Sequence, residues 1–219
     1  MSGDQGSSVD RVHGAIRERI LSGEYRPGSR LILSRLADDH GVSFIPVREA
    51  LRRLEAEKLV KVERNRGARV AELSLADMRD IYETRLVLEE HALRAAIALH
   101  AGGPFEDAGR ALKAMAEQFE EGDERAAYAS HERFHLSLYE SSGSMWTVHL
   151  VEQLWSSAER YVRLAASVRP DPKLFVAEHE EIFAAVEARD ADRAAQKLAE
   201  NLRTTQRLLA ETYEPGTPG

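Results

Sequence analysis

The stretch GVSFIPVREALRRLEAEKLVKVERNRGARVAEL, residues 41–73, decides how the chain is read. Val47, Ala50, Leu51 and Leu54 recur at helical spacing, which predicts a helix over about 44–57 with one apolar stripe. Ser43 is placed to cap it. Pro46 falls in its first turn, where N–H groups have no intrahelical partner and proline is tolerated. Arg48, Arg52 and Arg53 lie on the outward face. Leu59 to Val62 and Ala68 to Ala71 then read as two short strands joined across Glu63 to Gly67.

Working outward, RVHGAIRERILSG (11–23) places Val12, Ile16, Ile20 and Leu21 on one helical face, and Gly23, Pro27 and Gly28 stop it. LSRLADDHG (33–41) reads as a short helix with Ser34 as N-cap and Gly41 just past its end. Three helices and a two-stranded wing form a winged helix-turn-helix, whose third helix enters a DNA major groove. Arginine suits both guanine edges and phosphates. The wing turn, Arg64-Asn65-Arg66-Gly67, is expected near the DNA backbone or minor groove, with Gly67 permitting close approach. The competing reading is a solvated arginine face, with Arg52 paired to Glu49 or Glu55.

Charge is distributed to match. The 219 residues carry a net −7, yet from Asp10 to Glu72 14 Lys and Arg face 10 Asp and Glu, a balance of +4. The remainder holds 16 basic and 27 acidic residues, a balance of −11. A basic module attached to an acidic domain fits a nucleic-acid binder with a second function. Apolar residues make up 43% and charged residues 31%, enough for a core in a helix-rich chain. There is no cysteine, which excludes disulfides and thiolate metal sites and points to a reducing cytoplasm. No run of about 18 apolar residues is present, so no membrane-spanning helix is expected. MSGDQGSSVD lacks the basic and apolar regions of a secretory signal.

From Leu73 the pattern is helical, with segments at roughly 75–100, 105–121, 124–141, 145–167, 172–188 and 190–211. AGGP, EGD, SSGS, RPDP and ARDAD separate them, and connections this short favour antiparallel neighbours. The expected fold is mostly α: an N-terminal winged helix-turn-helix with a small β-wing, then a C-terminal all-α antiparallel helical bundle. Residues 1–9 are expected to be disordered, 10–72 to bind DNA, 73–211 to form the bundle and 212–219 to be a flexible tail.

YRPGSRLILSRLADDHGVSFIPVREALRRLEAEKLVKVERNRGARVAELS resembles the winged-helix domain of the GntR family of bacterial transcription regulators. DMRDIYETRLVLEEHALRAA (77–96), HERFHLSLYESSGS (131–144) and EHEEIFAAVEARDADRAAQKLAENL (178–202) are similar to blocks of the effector domain of its FadR subfamily, called FCD. The resemblance covers about residues 10–210. It implies a homodimer on a two-fold related operator of double-stranded DNA. A small carboxylate metabolite, bound in the bundle, would change DNA affinity. Arg48 matches a family arginine at the groove-facing helix, and Gly67 the wing-tip glycine. Where the family commonly reads SRTPVR this chain has SFIPVR, so Phe44 and Ile45 replace an arginine and a threonine; Ser34 replaces a further arginine. The operator is therefore expected to differ from the common family one. The DNA-binding set is Ser34, Ser43, Phe44, Ile45, Arg48, Arg52, Arg53, Arg66 and Gly67.

His131 and His135, four apart, share a helix face and can aim two imidazoles at one ion. The resemblance implies a divalent-metal site of one Asp and three His. The matching residues are His131 in place of the Asp, His135, His179, and Asn201 in place of the last His. Three imidazoles and a carbonyl oxygen suit a borderline ion such as Zn²⁺ or Ni²⁺. The alternative is a set of hydrogen-bonded core histidines. Arg85, in the family's R-x-x-L-E context, is expected to meet an anionic effector in fork geometry, lined also by Tyr82, Arg163 and Arg160; its alternative partner is Glu89 at i,i+4. No positioned general base accompanies the histidines, so an all-helical metalloenzyme is the weaker reading. An effector-independent DNA-binding structural protein is the other alternative.

Overall fold

A computed structural model describes residues 3–63, 66–99, 105–168 and 171–212. The chain forms two compact units, divided after Ser74. The first contains α1 (Gly3–Leu21), β1 (Arg30–Ile32), α2 (Leu33–His40), α3 (Phe44–Ala56), β2 (Val60–Glu63) and β3 (Gly67–Val70). Val12, Ile16 and Ile20 of α1 meet Leu36 of α2, Val47, Leu51 and Leu54 of α3, and Leu31, Val60 and Val70 of the sheet in one core. The apolar spacing that predicts each helix is the spacing that fills this core.

Two expectations are corrected. The sheet has three strands in the order β1-β3-β2, not two. β1 pairs antiparallel with β3, Leu31 opposite Ala68. It escapes a sequence reading because three residues show almost no periodicity. Ser34 is not an N-cap: α2 starts one residue earlier, with Ile32 at the cap position and no side-chain cap bond. Gly41 does end α2 in the left-handed conformation (φ 62°). α1 reaches back to Gly3, into the stretch expected to be disordered, because buried Val9 extends its apolar face. The expected flexible tail lies outside the described residues from 213 onward, as do Arg64 and Asn65 of the wing turn and the AGGP breaker.

Gly67 is buried, and a β-carbon there would sit 2.0 Å from the Leu31 carbonyl oxygen. Its φ of 109° is also one that side-chain-bearing residues rarely adopt. The glycine is thus required by the seating of β1 on β3. Gly67→Ala is expected to destabilise this unit by at least about 2 kcal/mol, seen as a lower urea midpoint at unchanged slope.

The second unit is helical: α4 (Leu75–Leu99), α5 (Glu106–Glu121), α6 (Glu124–Tyr139), a short 3-10 turn (Glu140–Ser142), α7 (Met145–Ser167), α8 (Pro172–Glu187) and α9 (Ala191–Thr212). The breakers act as the local chemistry dictates. Gly122 caps α5 in the left-handed region (φ 77°), and Asp123 accepts from the Ala126 N–H to start α6. Ser144 and Asp171 cap α7 and α8 in the same way, with Pro172 in the first turn of α8. α4 packs against α7 and α9, α5 against α6, and α8 against α5 and α9. Among the described residues no helix is long and apolar enough to cross a membrane.

Candidate functional site

In the first unit, α3 presents its inner face to the core through Val47, Ala50, Leu51 and Leu54. Ser43 sits at its N-cap, without a side-chain cap bond. The outer face carries exposed Phe44, Ile45, Arg48, Arg52 and Arg53. Arg48 makes no hydrogen bond or ion pair among the described residues. Arg52 reaches Glu49 only at 3.9 Å, the weak contact of an exposed pair. Arg53 is drawn back to α1, where Nη1 donates to Asp10 at 2.7 Å. Arg66 is exposed at the end of the β2–β3 turn, and Ser34 is exposed on α2. Arg69 turns toward Glu63 and the Gly28 carbonyl. Of the three arginines expected on α3, Arg48 and Arg52 thus remain directed outward, and Arg53 doubles as a tie to α1.

The second unit brings three predicted ligands together. His131 and His135 of α6 and His179 of α8 are buried, and their ligand nitrogens all lie within 4.8 Å of one another. Ring centroids are 4.9 Å apart for His131 and His135, 4.7 Å for His131 and His179, and 5.1 Å for His135 and His179. The four-residue step on α6 places the first two on one face, and α8 adds the third. His179 Nδ1 donates to the Phe175 carbonyl at 2.6 Å, which makes Nε2 the lone-pair nitrogen of that ring. His135 Nδ1 faces the Tyr139 hydroxyl at 3.4 Å, and its Nε2 is buried with no hydrogen-bond partner among the described residues. Burial, helped by His179 and Arg85, holds the His135 pKa well below its ordinary value, so this imidazole is neutral and its lone pair available. A buried polar nitrogen without a partner costs about 1–3 kcal/mol. Three imidazoles with nitrogens this close fit a borderline divalent ion, and the orphaned His135 Nε2 is an atom that such an ion satisfies. Asn201 is buried on α9, but its Nδ2 donates to Glu178 at 2.9 Å; that bond uses the amide nitrogen and not the carbonyl oxygen a metal prefers.

Arg85 is 1% exposed, and its Nε donates to Glu89 at 2.6 Å, so the i,i+4 pair foreseen as an alternative is present. Its guanidinium carbon also lies 4.1 Å from the Trp155 ring centroid and 5.0 Å from that of Tyr82. Nη1 remains buried without a hydrogen bond among the described residues. Burial pulls the Arg85 pKa down, but Glu89, Tyr82 and Tyr139 together outweigh it and the group stays charged. Burial pushes Tyr82 up to about 12. Arg163 is held by Glu159 at 2.8 Å and lies over Tyr128. Arg160 pairs with Asp77 at 2.7 Å, tying α7 to the start of α4.

Two residues that the sequence did not single out, Tyr139 and Trp155, connect these groups. The Tyr139 hydroxyl donates to Glu89 at 2.6 Å, so a buried chain runs from Arg85 through Glu89 and Tyr139 to His135. Trp155 stacks near His131, His135 and Arg85. Tyr139 had a legible signal, since it stands four residues after His135 on the same helix. A surface groove of about 420 Å³ at the start of α7 is lined by Gly143, Met145, Val148, His149 and Glu152, and by none of His131, His135, His179 and Arg85. Charged and orphaned polar groups converge at the histidines and not at this open groove.

Comparison with known proteins agrees with both units. Residues 8–70 match bacterial regulatory proteins of the gntR family, and residues 80–204 match the FCD domain. An uncharacterized HTH-type transcriptional regulator of Paraburkholderia xenovorans, BphR, is 30% identical over 91% of this chain and 84% of its own length. The HTH-type transcriptional repressor GlaR of Escherichia coli is 29% identical, over 86% of this chain and 90% of its own. A solved structure of a GntR regulator from Rhodococcus superposes with a TM-score of 0.79 at 25% identity, over 95% of this chain and 100% of that one. These relatives carry the names of transcriptional regulators. The chain belongs to the GntR family of bacterial transcription regulators, in the subfamily that carries an FCD domain.

Proposed function

We propose that this regulator is a cytoplasmic repressor that binds a two-fold related operator as a homodimer, and that a small carboxylate metabolite in the helical unit controls its hold. GlaR, its E. coli relative, carries the name of a repressor. Arg48, Arg52 and Arg66 are the groups assigned to bases and phosphates. The observation that carries the ligand reading is the buried Arg85, with Nη1 unpartnered among the described residues, in the same aromatic centre as the three histidines. Glu89 holds the Arg85 Nε, and Nη1 of the charged guanidinium is left to meet a carboxylate of the metabolite. His131, His135 and His179 would hold a Zn²⁺ or Ni²⁺ ion, which supplies positive charge to the same anion when bound. Glu89 and Tyr139 orient Arg85 and His135. The metabolite shifts DNA affinity only by its differential affinity for the binding and non-binding states.

The experiment is a gel shift on the DNA flanking the protein's own gene, with and without candidate carboxylates, after native mass spectrometry of protein purified without chelator. Retention that a carboxylate relieves supports the whole reading. Retention that no carboxylate alters favours an effector-independent DNA-binding protein.

A further inference from the structure

The first turn of α3 carries two large apolar side chains that the core does not use. Phe44 is 50% exposed and Ile45 is 68% exposed, whereas Val47, Leu51 and Leu54 of the same helix are buried. Ile45 and Arg48 are three residues apart, and Phe44 and Arg48 four, so all three share the outward stripe that continues to Arg52. That stripe is otherwise polar. The N-terminal residues of a groove-entering helix are those that meet base edges. In the major groove the apolar feature of a base edge is the thymine C5-methyl group.

Building on α3 as the helix that enters the groove, as proposed above, we infer that Phe44 and Ile45 read thymine methyl groups next to the base or phosphate met by Arg48. Each operator half-site then carries thymine at one or two positions opposite the first turn of α3. Apolar contact, and not a hydrogen bond, sets the sequence preference there. Exposure of the two side chains in the free protein is the cost that this contact recovers, since each buried methyl contributes favourably when water is expelled from both surfaces. An apolar patch for a protein partner would not need to share a stripe with Arg48 and Arg52, and so duplex DNA is the favoured occupant.

The test uses the full chain. A randomised duplex library is selected for binding, and the preferred duplex is resynthesised with deoxyuridine in place of each thymine in turn, which removes the methyl and keeps the pairing. The expected result is about a fourfold weaker binding for each contacted methyl, confined to one or two positions per half-site. The Phe44→Ser, Ile45→Ser double variant, altered only at exposed positions, is expected to bind the thymine and deoxyuridine duplexes equally. If no deoxyuridine substitution weakens the wild-type protein, or if the double variant keeps the full penalty, the thymine reading is overturned while DNA binding by α3 stands. If no duplex is selected at all, DNA binding fails with it.

Discussion

Glu89→Ala is expected to lower the stability of the helical unit by about 3–5 kcal/mol, the cost of leaving one member of a buried ion pair uncompensated. The side chains of Arg85 and Glu89 are 1% and 0% exposed, and the pair spans 2.6 Å. Glu89 also accepts from Tyr139, so its loss strands both a guanidinium and a phenol. Burial, the largest cause of Tyr139's raised pKa, persists without Glu89 and opposes ionisation of the phenol. Urea unfolding monitored by circular dichroism reads the loss directly. A cost below about 1 kcal/mol, the ceiling for exposed pairs, would mean that Arg85 reaches water and is not poised for an anion. Glu89→Gln, which keeps an acceptor of the same shape, is expected to lose less.

Metal affinity gives the second large effect. His135→Ala and His179→Ala are each expected to weaken Zn²⁺ or Ni²⁺ binding by more than the about 10–100-fold that follows loss of a residue that only orients a ligand. Tyr139→Phe, which touches His135 but offers no nitrogen, is expected to fall within that range and to keep the stoichiometry. Isothermal titration of chelator-stripped protein reads both. Wild-type protein that takes up no ion would remove the metal from the account and leave Arg85 as the sole anion receptor. Wild-type protein whose affinity survives both histidine changes would place the ion elsewhere.

Much of this architecture could be read from the residues. The helices of the second unit begin and end close to where Gly122, Asp123, Ser144, Asp171 and Pro172 predict, because caps and breakers act within a few residues of chain. His131 and His135 were legible for the same reason, being one helical turn apart. β1 was not legible. Its three residues become a strand only because β3, more than 30 positions later, offers a partner. Gly67 was read as room for DNA, whereas the Leu31 carbonyl occupies that room. The Glu89–Tyr139 bond joins α4 to α6 across 50 positions and depends on how those helices cross, which no local pattern encodes. Arg53 was expected at the groove, and its tie to Asp10 depends on the packing of α1 against α3.

On the proposed reading, α3 and the wing grip duplex DNA through Arg48 and Arg66, exposed on the first unit. The most direct measurement compares retention of sheared genomic fragments by wild-type protein and by the Arg48→Ala, Arg66→Ala double variant over a range of salt. Wild-type retention is expected to fall steeply with salt as phosphate contacts release counterions. The double variant is expected to bind at least about a hundredfold more weakly, from losses of about 1–3 kcal/mol per base contact in each half-site and a shallower salt slope. Equal retention by the two proteins at every salt concentration would mean that Arg48 and Arg66 do not hold DNA.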